Sequence, residues 1–277
     1  RGRHVLIAGV TGFIGAEIAK QLLERGYSVR GTTRNVNKAR ADGHLSALPG
    51  APERLELVSA DLLNPNDLDR ALEGCEYVMH VASPYIVAVE DPEAELLRPA
   101  VEGTLSVLRA ASKAGSRRVV LTSSVVAVNG FPPTDTVFAE DDWNGISTLD
   151  DGPYFYSKTM AERAAWRFME SERPGFDLVA ILPSGVIGPS VVPHLNQSHQ
   201  FIVAHTNGAM PAIVDWRFNW VDVRDVADAH FRAMETPAAS GRYLCAAGSM
   251  PNRTIVDLLK ANGFHERYRL PSLPMDR

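Results

Sequence analysis

A doubly wound parallel α/β fold is predicted for the larger part of this chain, on three observations. Short apolar, β-branched runs alternate with longer amphipathic stretches over the first half of the sequence. The runs are apolar at successive positions, so they belong to strands buried on both faces, with helices as the crossovers that parallel pairing demands. A glycine-spaced segment directly follows the first run, where a strand must turn into a helix.

In order, strands are expected at His4–Ala8, Ser28–Thr33 and Leu55–Ser59, then at 77–81 and 119–122. Helices are expected over 12–24, 66–72 and a long stretch, 93–114. Another helix, 154–172, carries Met160, Ala164, Ala165, Phe168 and Met169 at helical spacing, and a strand follows at 177–182. Beyond Pro183 the pattern loosens and becomes rich in Pro, Asn and His. It still supports strands at 219–223 and 242–246 and helices at 225–235 and 254–262. The expected organisation is a sheet domain over residues 1–182 and a smaller C-terminal lobe over 183–277, some of whose segments return to the sheet domain.

Of the 277 residues, 45% are hydrophobic and 22% charged, which is ordinary for a soluble globular protein. A net charge of −5 without a basic run gives no electrostatic support for nucleic-acid binding. The apolar runs are strand-sized, so no membrane span is expected. Cys75 and Cys245 lack the number and spacing of a zinc site or a disulfide framework, so no metal is expected and the cytoplasm is the expected compartment. No signal peptide is expected from the residues given, since a strand begins almost at once, and the start at Arg1 implies that the native N-terminus is removed or missing.

The glycine segment joins Gly9, Gly12 and Gly15 through Val10, Thr11, Phe13 and Ile14. Gly9 allows a tight turn, Gly12 lets the backbone approach a pyrophosphate, and Gly15 permits close packing of helix on strand. The helix N-terminus adds free N–H groups and partial positive charge. Together these predict a Rossmann dinucleotide site. An NAD site places Asp or Glu at the end of the second strand for the ribose 2′-hydroxyl. This chain has Arg34 there, with Lys38 and Arg40 close behind and no acid between Glu24 and Asp42. A guanidinium fork suits a 2′-phosphate, so NADP is the expected cofactor.

Tyr154 and Lys158 are spaced i, i+4 on one helical face. A tyrosine donates a proton poorly near neutrality, and a neighbouring ammonium lowers its pKa by stabilising the phenolate. Ser124, at the end of the fifth strand, stands at the sheet's carboxyl edge, where a hydroxyl can polarise a carbonyl. Tyr156 is two residues from Lys158 and does not share its face.

With these motifs the chain resembles the extended short-chain dehydrogenases/reductases over about residues 4–262. Within them it is most similar to the group of dihydroflavonol reductases, cinnamoyl-CoA reductases and aldehyde and ketone reductases. The matching segments are TGFIG at 11–15, Arg34, Asp61-Leu62, Val81-Ala82-Ser83-Pro84, LTSS at 121–124, the segment 154–158, PSGVIGP at 183–189 and VDVRDV at 221–226. The resemblance implies that Ser124, Tyr154 and Lys158 form a catalytic triad. It also implies that Asp61 and Leu62 flank the adenine, that Val81, Ala82 and Ser83 lie beside the nicotinamide half, and that Pro183 to Val186 contact the carboxamide. Asn129 is expected to touch the substrate, together with Ser83, Ser124 and Tyr154. The implied activity is NADPH-dependent reduction of a small-molecule aldehyde or ketone, aromatic or flavonoid-like compounds included, by a monomer or homodimer. Gly152-Pro-Tyr154-Phe-Tyr156 stands where CoA-ester reductases carry Asn-Trp-Tyr-Cys-Tyr, which argues against that subgroup, and the loop 130–151 is unlike that of dihydroflavonol reductases. The chain also stops earlier than such proteins usually do, so part of the C-terminal lobe is expected to be absent or disordered.

Two rival functions share the fold. A nucleotide-sugar epimerase or dehydratase predicts an acid at the end of the second strand, which is lacking. A non-catalytic NADP-sensing regulator predicts loss of the Tyr–Lys pair, which is present. Outside these motifs, His80 reads as a packed residue, and Asp222 and Asp225 as helix caps. His194, His199 and His205 read as pocket cover rather than metal ligands, and Trp216 and Trp220 as pocket wall or core. Arg34→Ala should weaken NADPH binding tenfold or more, the effect of losing about 1.5–3 kcal/mol of charge-assisted contact, and leave NADH almost unaffected. Cofactor titration checks this, and equal losses for both cofactors would contradict it.

Overall fold

The computed structural model describes residues 4–82, 89–130, 136–213 and 216–272. The sheet domain runs β1 (His4–Ala8), α1 (Phe13–Glu24), β2 (Ser28–Thr33), α2 (Val36–Asp42), α3 (Ala51–Arg54), β3 (Leu55–Ser59), α4 (Pro65–Leu72), β4 (Tyr77–His80), α5 (Arg98–Ala114), β5 (Arg118–Thr122), α6 (Val126–Asn129), α7 (Pro153–Glu172) and β6 (Asp177–Pro183). Then come β7 (Gly185–Ile187), α8 (Gln197–Ala204), β8 (Arg217–Asp222), α9 (Val223–Glu235), β9 (Gly241–Cys245), β10 (Gly248–Pro251) and α10 (Asn252–Ala261).

Seven parallel strands form the main sheet in the order β3-β2-β1-β4-β5-β6-β9. Successive residues of one strand serve opposite faces, as the pleat requires. Val5 and Ile7 of β1 join Ile18, Leu22 and Leu23 of α1 and Ala233 and Met234 of α9 on one side. Leu6 joins Leu68 and Leu72 of α4, Val107 and Leu108 of α5 and Phe168 of α7 on the other. This two-sided burial is why the central strands β1, β4, β5 and β6 are apolar at successive positions, whereas β2 and β3, nearer the edge, carry Arg30 and Glu56. Strand β9 lies beside β6, with Cys245 opposite Pro183. A second sheet, β10-β8-β7, pairs β7 parallel and β10 antiparallel to β8.

The predicted strands and helices recur with shifted ends, and two differences have physical causes. The long helix expected over 93–114 opens as a π turn, Glu93–Leu97, before α5 begins. Pro99 lacks the N–H that would bond back one α-turn, so the ladder widens ahead of it. The short elements α2, α6, α8 and β10 carry too little periodicity to be read from sequence. Local caps hold two of them: Asn35 Oδ1 accepts from Lys38 N (2.9 Å) at α2, and Asn196 Oδ1 from His199 N (2.7 Å) at α8. Asp222 caps α9 as expected, accepting from Arg224 N (2.8 Å).

A buried arginine fixes α9 beneath the sheet. Arg118 opens β5, and its Nη1 donates to the carbonyls of Ala233 (2.8 Å) and Thr236 (2.6 Å), while Nη2 donates to Pro237 O (3.1 Å) and pairs with Asp177 (3.1 Å). The last carbonyls of a helix have no intrahelical donor, and here one guanidinium supplies it. Arg118→Met should therefore lower stability by about 2–4 kcal/mol, because carbonyls lose their donor and the carboxylate its partner. Urea midpoints measure this; a loss below about 1 kcal/mol would show that water replaces the guanidinium.

Candidate active site

Strand order reverses about β1, so the crevice between the ends of β1 and β4 is where such sheets bind ligands. Gly9 follows β1 at φ +87°, and a Cβ there would fall 2.9 Å from the Ala82 Cα that follows β4. A Cβ on Gly15 would fall 2.3 Å from Gly9 O. Gly12 N donates to Gly9 O (3.1 Å), and Gly12 is the N-cap of α1 without a side-chain capping bond. The first N–H groups of α1 are thus left facing the crevice edge, which suits a pyrophosphate. Ala82 and Val81 hold their place through N–H bonds to Ala8 O (2.8 and 3.1 Å). Ser83 lies outside the described residues.

At the end of β2, Arg34 is exposed and makes no ion pair among the described residues, while Lys38 reaches Asp42 at 3.9 Å. No carboxylate occupies the end of this strand, so the residues present fit a 2′-phosphate better than a free 2′-hydroxyl. Asp61 is exposed after β3 and accepts from Leu63 N (2.9 Å), and Leu62 packs inward toward Gly103 of α5. Phe13 is buried with Val186, Val221 and Val223, so the glycine turn rests on the second sheet. Ile14 packs against the same group. Two histidines lie over this turn: His194 Nε2 contacts Thr11 O (3.3 Å), and the His199 ring meets Phe13 edge-on at 4.7 Å. His205 is instead buried between Phe201 O and Asn252, away from any surface.

The candidate chemical centre lies where β5 ends against α7. Lys158 is 7% exposed and donates to Thr122 O at 3.0 Å. Burial pulls its amine from 10.5 down to about 8, against the opposing pull of Glu162. Tyr154, one turn earlier on α7, is half-buried. Ser124 follows Thr122 and Ser123, half-buried, its Oγ near Val126 N (3.4 Å). The strand end is held by Ser123 N to Ile181 O (2.8 Å) and Val125 N to Pro183 O (3.1 Å), which places Pro183 beside it. Asn129 ends α6, half-buried, with its N–H on Val125 O (3.1 Å).

Two buried histidines back this centre and stay neutral. His80 Nε2 meets Thr104 Oγ1 (3.1 Å), and burial together with Lys158 pushes its ring to about 3. His230 Nδ1 donates to Val226 O (2.8 Å), so its Nε2 accepts from the Thr122 hydroxyl (2.7 Å), and burial holds it near 4. His80 is thus a packed residue, as its position at a strand end suggests. Trp220 is buried against Phe201 and Phe218, whereas Trp216 is 57% exposed, so the pair divides between core and surface.

Sequence reasoning passed over Ser123, Asn144, Glu162 and Arg242. Glu162 carried a signal, since it continues the i, i+4 series of Tyr154 and Lys158. Asn144, in an irregular loop, carried none. Its N–H bonds Ala127 O (2.9 Å) and its Nδ2 bonds Val126 O (3.0 Å), tying that loop to α6. Among the described residues, no group of three or more His, Cys, Asp or Glu is placed to hold a metal ion, and no helix is long and apolar enough to cross a membrane.

A glycine turn at the switch point of a parallel sheet, with a Tyr–Lys helix beside it, defines a nicotinamide-dinucleotide protein of the short-chain dehydrogenase/reductase type. The chain belongs to the NAD dependent epimerase/dehydratase family, whose profile matches residues 5–246. Among its relatives, a cinnamoyl-CoA reductase of Medicago truncatula is 42% identical over 87% of this chain and 75% of its own length. Tetraketide alpha-pyrone reductase 1 of Arabidopsis thaliana is 39% identical over 99% of this chain and 83% of its own. Among solved structures, the yeast methylglyoxal/isovaleraldehyde reductase Gre2 complexed with NADPH superposes with a TM-score of 0.87 at 29% identity, covering 98% of this chain and 86% of that one.

The low position of the Lys158 amine has a direct consequence for stability. Below about pH 8 folded and unfolded chains both carry the ammonium, and the fold bears the full cost of its burial. Between about 8 and 10.5 the unfolded chain binds more protons, so stability rises with pH and the cost is gone above that window. Lys158→Met should be more stable than wild type at pH 7, with the difference shrinking as pH approaches 10.5. Urea midpoints of both proteins from pH 7 to 10 test this, and a difference independent of pH would contradict it.

Proposed function

We propose that this protein reduces an aldehyde or ketone to the alcohol with NADPH, Tyr154 donating the proton. It is an oxidoreductase acting on a small-molecule carbonyl compound. The observation that carries this reading is the buried Lys158, bonded to the strand end that leads into Ser124 and one helical turn from Tyr154. Gly9, Thr11, Gly12, Phe13, Ile14 and Gly15 would hold the pyrophosphate, Arg34 and Lys38 the 2′-phosphate, and Asp61 and Leu62 the adenine. Val81, Ala82, Ser83, Pro183 and Val186 would flank the nicotinamide. When bound, NADPH supplies the hydride.

The chain's own residues then manage charge. As the carbonyl carbon is reduced, negative charge gathers on the oxygen, where the Ser124 hydroxyl donates a hydrogen bond and lowers the barrier. Tyr154 delivers its proton to the same oxygen, and the Lys158 ammonium stabilises the phenolate left behind. Lys158 is an ammonium below about pH 8, so turnover falls as pH rises through that value. Asn129, at the end of α6, faces the substrate, a free aldehyde or ketone rather than a CoA ester. Residues 183–277 supply most of the substrate lobe, with β9 returned to the main sheet. The protein works as a monomer or homodimer in the cytoplasm.

Tyr154→Phe removes one hydroxyl, so the fold and NADPH affinity should survive while turnover falls by on the order of 10²–10⁴. Tyr156→Phe should keep near-full turnover, since Tyr156 leaves α7 away from Lys158. Turnover of both variants at saturating NADPH against a carbonyl panel decides the assignment. An active Tyr154→Phe enzyme with an inactive Tyr156→Phe enzyme would transfer the acid role to Tyr156.

A further inference from the structure

Glu162 lies on α7 one turn beyond Lys158 and is 1% exposed. A buried carboxylate is costly unless paired and hydrogen-bonded, and nothing in the reaction described so far calls for one here. Its oxygens accept from Ser123 Oγ (2.5 Å), Trp166 Nε1 (3.1 Å), Arg242 Nε (2.7 Å) and Arg242 Nη2 (3.3 Å). Arg242, on β9, also donates Nη1 to the carbonyls of Glu140 (2.5 Å) and Asp142 (2.6 Å), and its guanidinium lies 3.8 Å from the centre of the Trp143 ring. The carboxylate is therefore held rigidly from β9, from its own helix and from the strand end.

Two adjacent residues of β5 and its exit are gripped by successive turns of α7. Lys158 bonds Thr122 O, and Glu162 bonds the Ser123 hydroxyl. The next residue is Ser124. A hydroxyl that must meet a developing charge loses its effect when displaced by about 1 Å, so the grip on Ser123 bears directly on the rate.

We propose that Glu162 is a positioning residue for carbonyl reduction: through Ser123 it sets the place of Ser124, and its anion, one turn from Lys158, favours the ammonium. This rests on the assignment of Ser124, Tyr154 and Lys158 made above. The charged and titratable groups around Lys158 are Tyr154 and Glu162 on its own helix, His80 on β4, His230 on α9 behind Thr122, and Arg242 on β9 behind Glu162. Both histidines are neutral near pH 7. Glu162 is the anion of this set, and it opposes the burial that pulls Lys158 down.

The test compares Ser123→Ala and Glu162→Gln with wild type in kcat and KM for one aldehyde, in the pH dependence of kcat, and in NADPH affinity by fluorescence titration. Ser123→Ala should lower kcat about tenfold, with KM and NADPH affinity within about twofold and the alkaline limb in its wild-type place. Glu162→Gln should lower kcat comparably and move that limb about one pH unit lower, because the ammonium loses its neighbouring anion. Wild-type kcat in Ser123→Ala together with an unmoved limb in Glu162→Gln overturns the proposal and leaves Glu162 a packing residue. Should Glu162→Gln not fold, Ser123→Ala decides alone: an unchanged kcat overturns the proposal, a tenfold loss supports it. A fully active Tyr154→Phe enzyme would instead overturn the underlying triad, whatever the Glu162 and Ser123 variants do.

Discussion

Parallel pairing of the seven strands is the constraint on which the rest of the molecule depends. When every strand runs one way, every exit loop opens at the same edge of the sheet and every return must cross a face inside a helix. The glycine turn after β1, Ala82 after β4, Thr122 to Ser124 at the end of β5 and Pro183 at the end of β6 are therefore neighbours in space while lying far apart in the chain. The same constraint fills both faces with apolar side chains, which makes the sheet rigid enough to hold those exits in register. Gly9 and Ala82 show how close that register is, since no side chain fits between them.

Polar groups buried within this frame hold its parts against one another. Arg118 collects the carbonyls at the end of α9, and Arg242 joins β9 to Glu162 of α7 and to the loop before it. Phe13, the first residue of α1, makes the glycine turn a shared element, buried against the second sheet and the start of α9. The second sheet is tied in turn by Gly185, where a Cβ would fall 2.9 Å from the Trp220 ring. The C-terminal region is thus not an appendage: it packs against the glycine turn and pairs along one edge of the strand that ends at Pro183.

Most of the sheet domain was legible in the sequence because its signals are local and strong. The apolar runs of the central strands, the glycines of the first turn and the i, i+4 pair of Tyr154 and Lys158 each follow from one short segment. The absence of an acid after β2 was equally plain. What escaped depends on distant partners. Nothing in the run Arg242 to Cys245 tells that its arginine is buried on Glu162, or that Asn144 pins an irregular loop to α6. The single long helix expected over 93–114 overlooked what Pro99 does to the turn before it. The second sheet was missed in part because β7 and β10 are too short to show a period.

The pairing of β6 with β9 also has a meaning for the newborn chain. At roughly 5–20 residues per second, the ribosome delivers β9 several seconds after β6. Until then β6 is an open edge, with its backbone groups ready to template a stray strand. Glu162 and Arg118 wait over the same interval, one carboxylate without its cation and one guanidinium without the helix end it caps. The stretch of synthesis between residues 183 and 241 is therefore where a chaperone would matter most to this protein, and where slowed translation would most readily lead to aggregation.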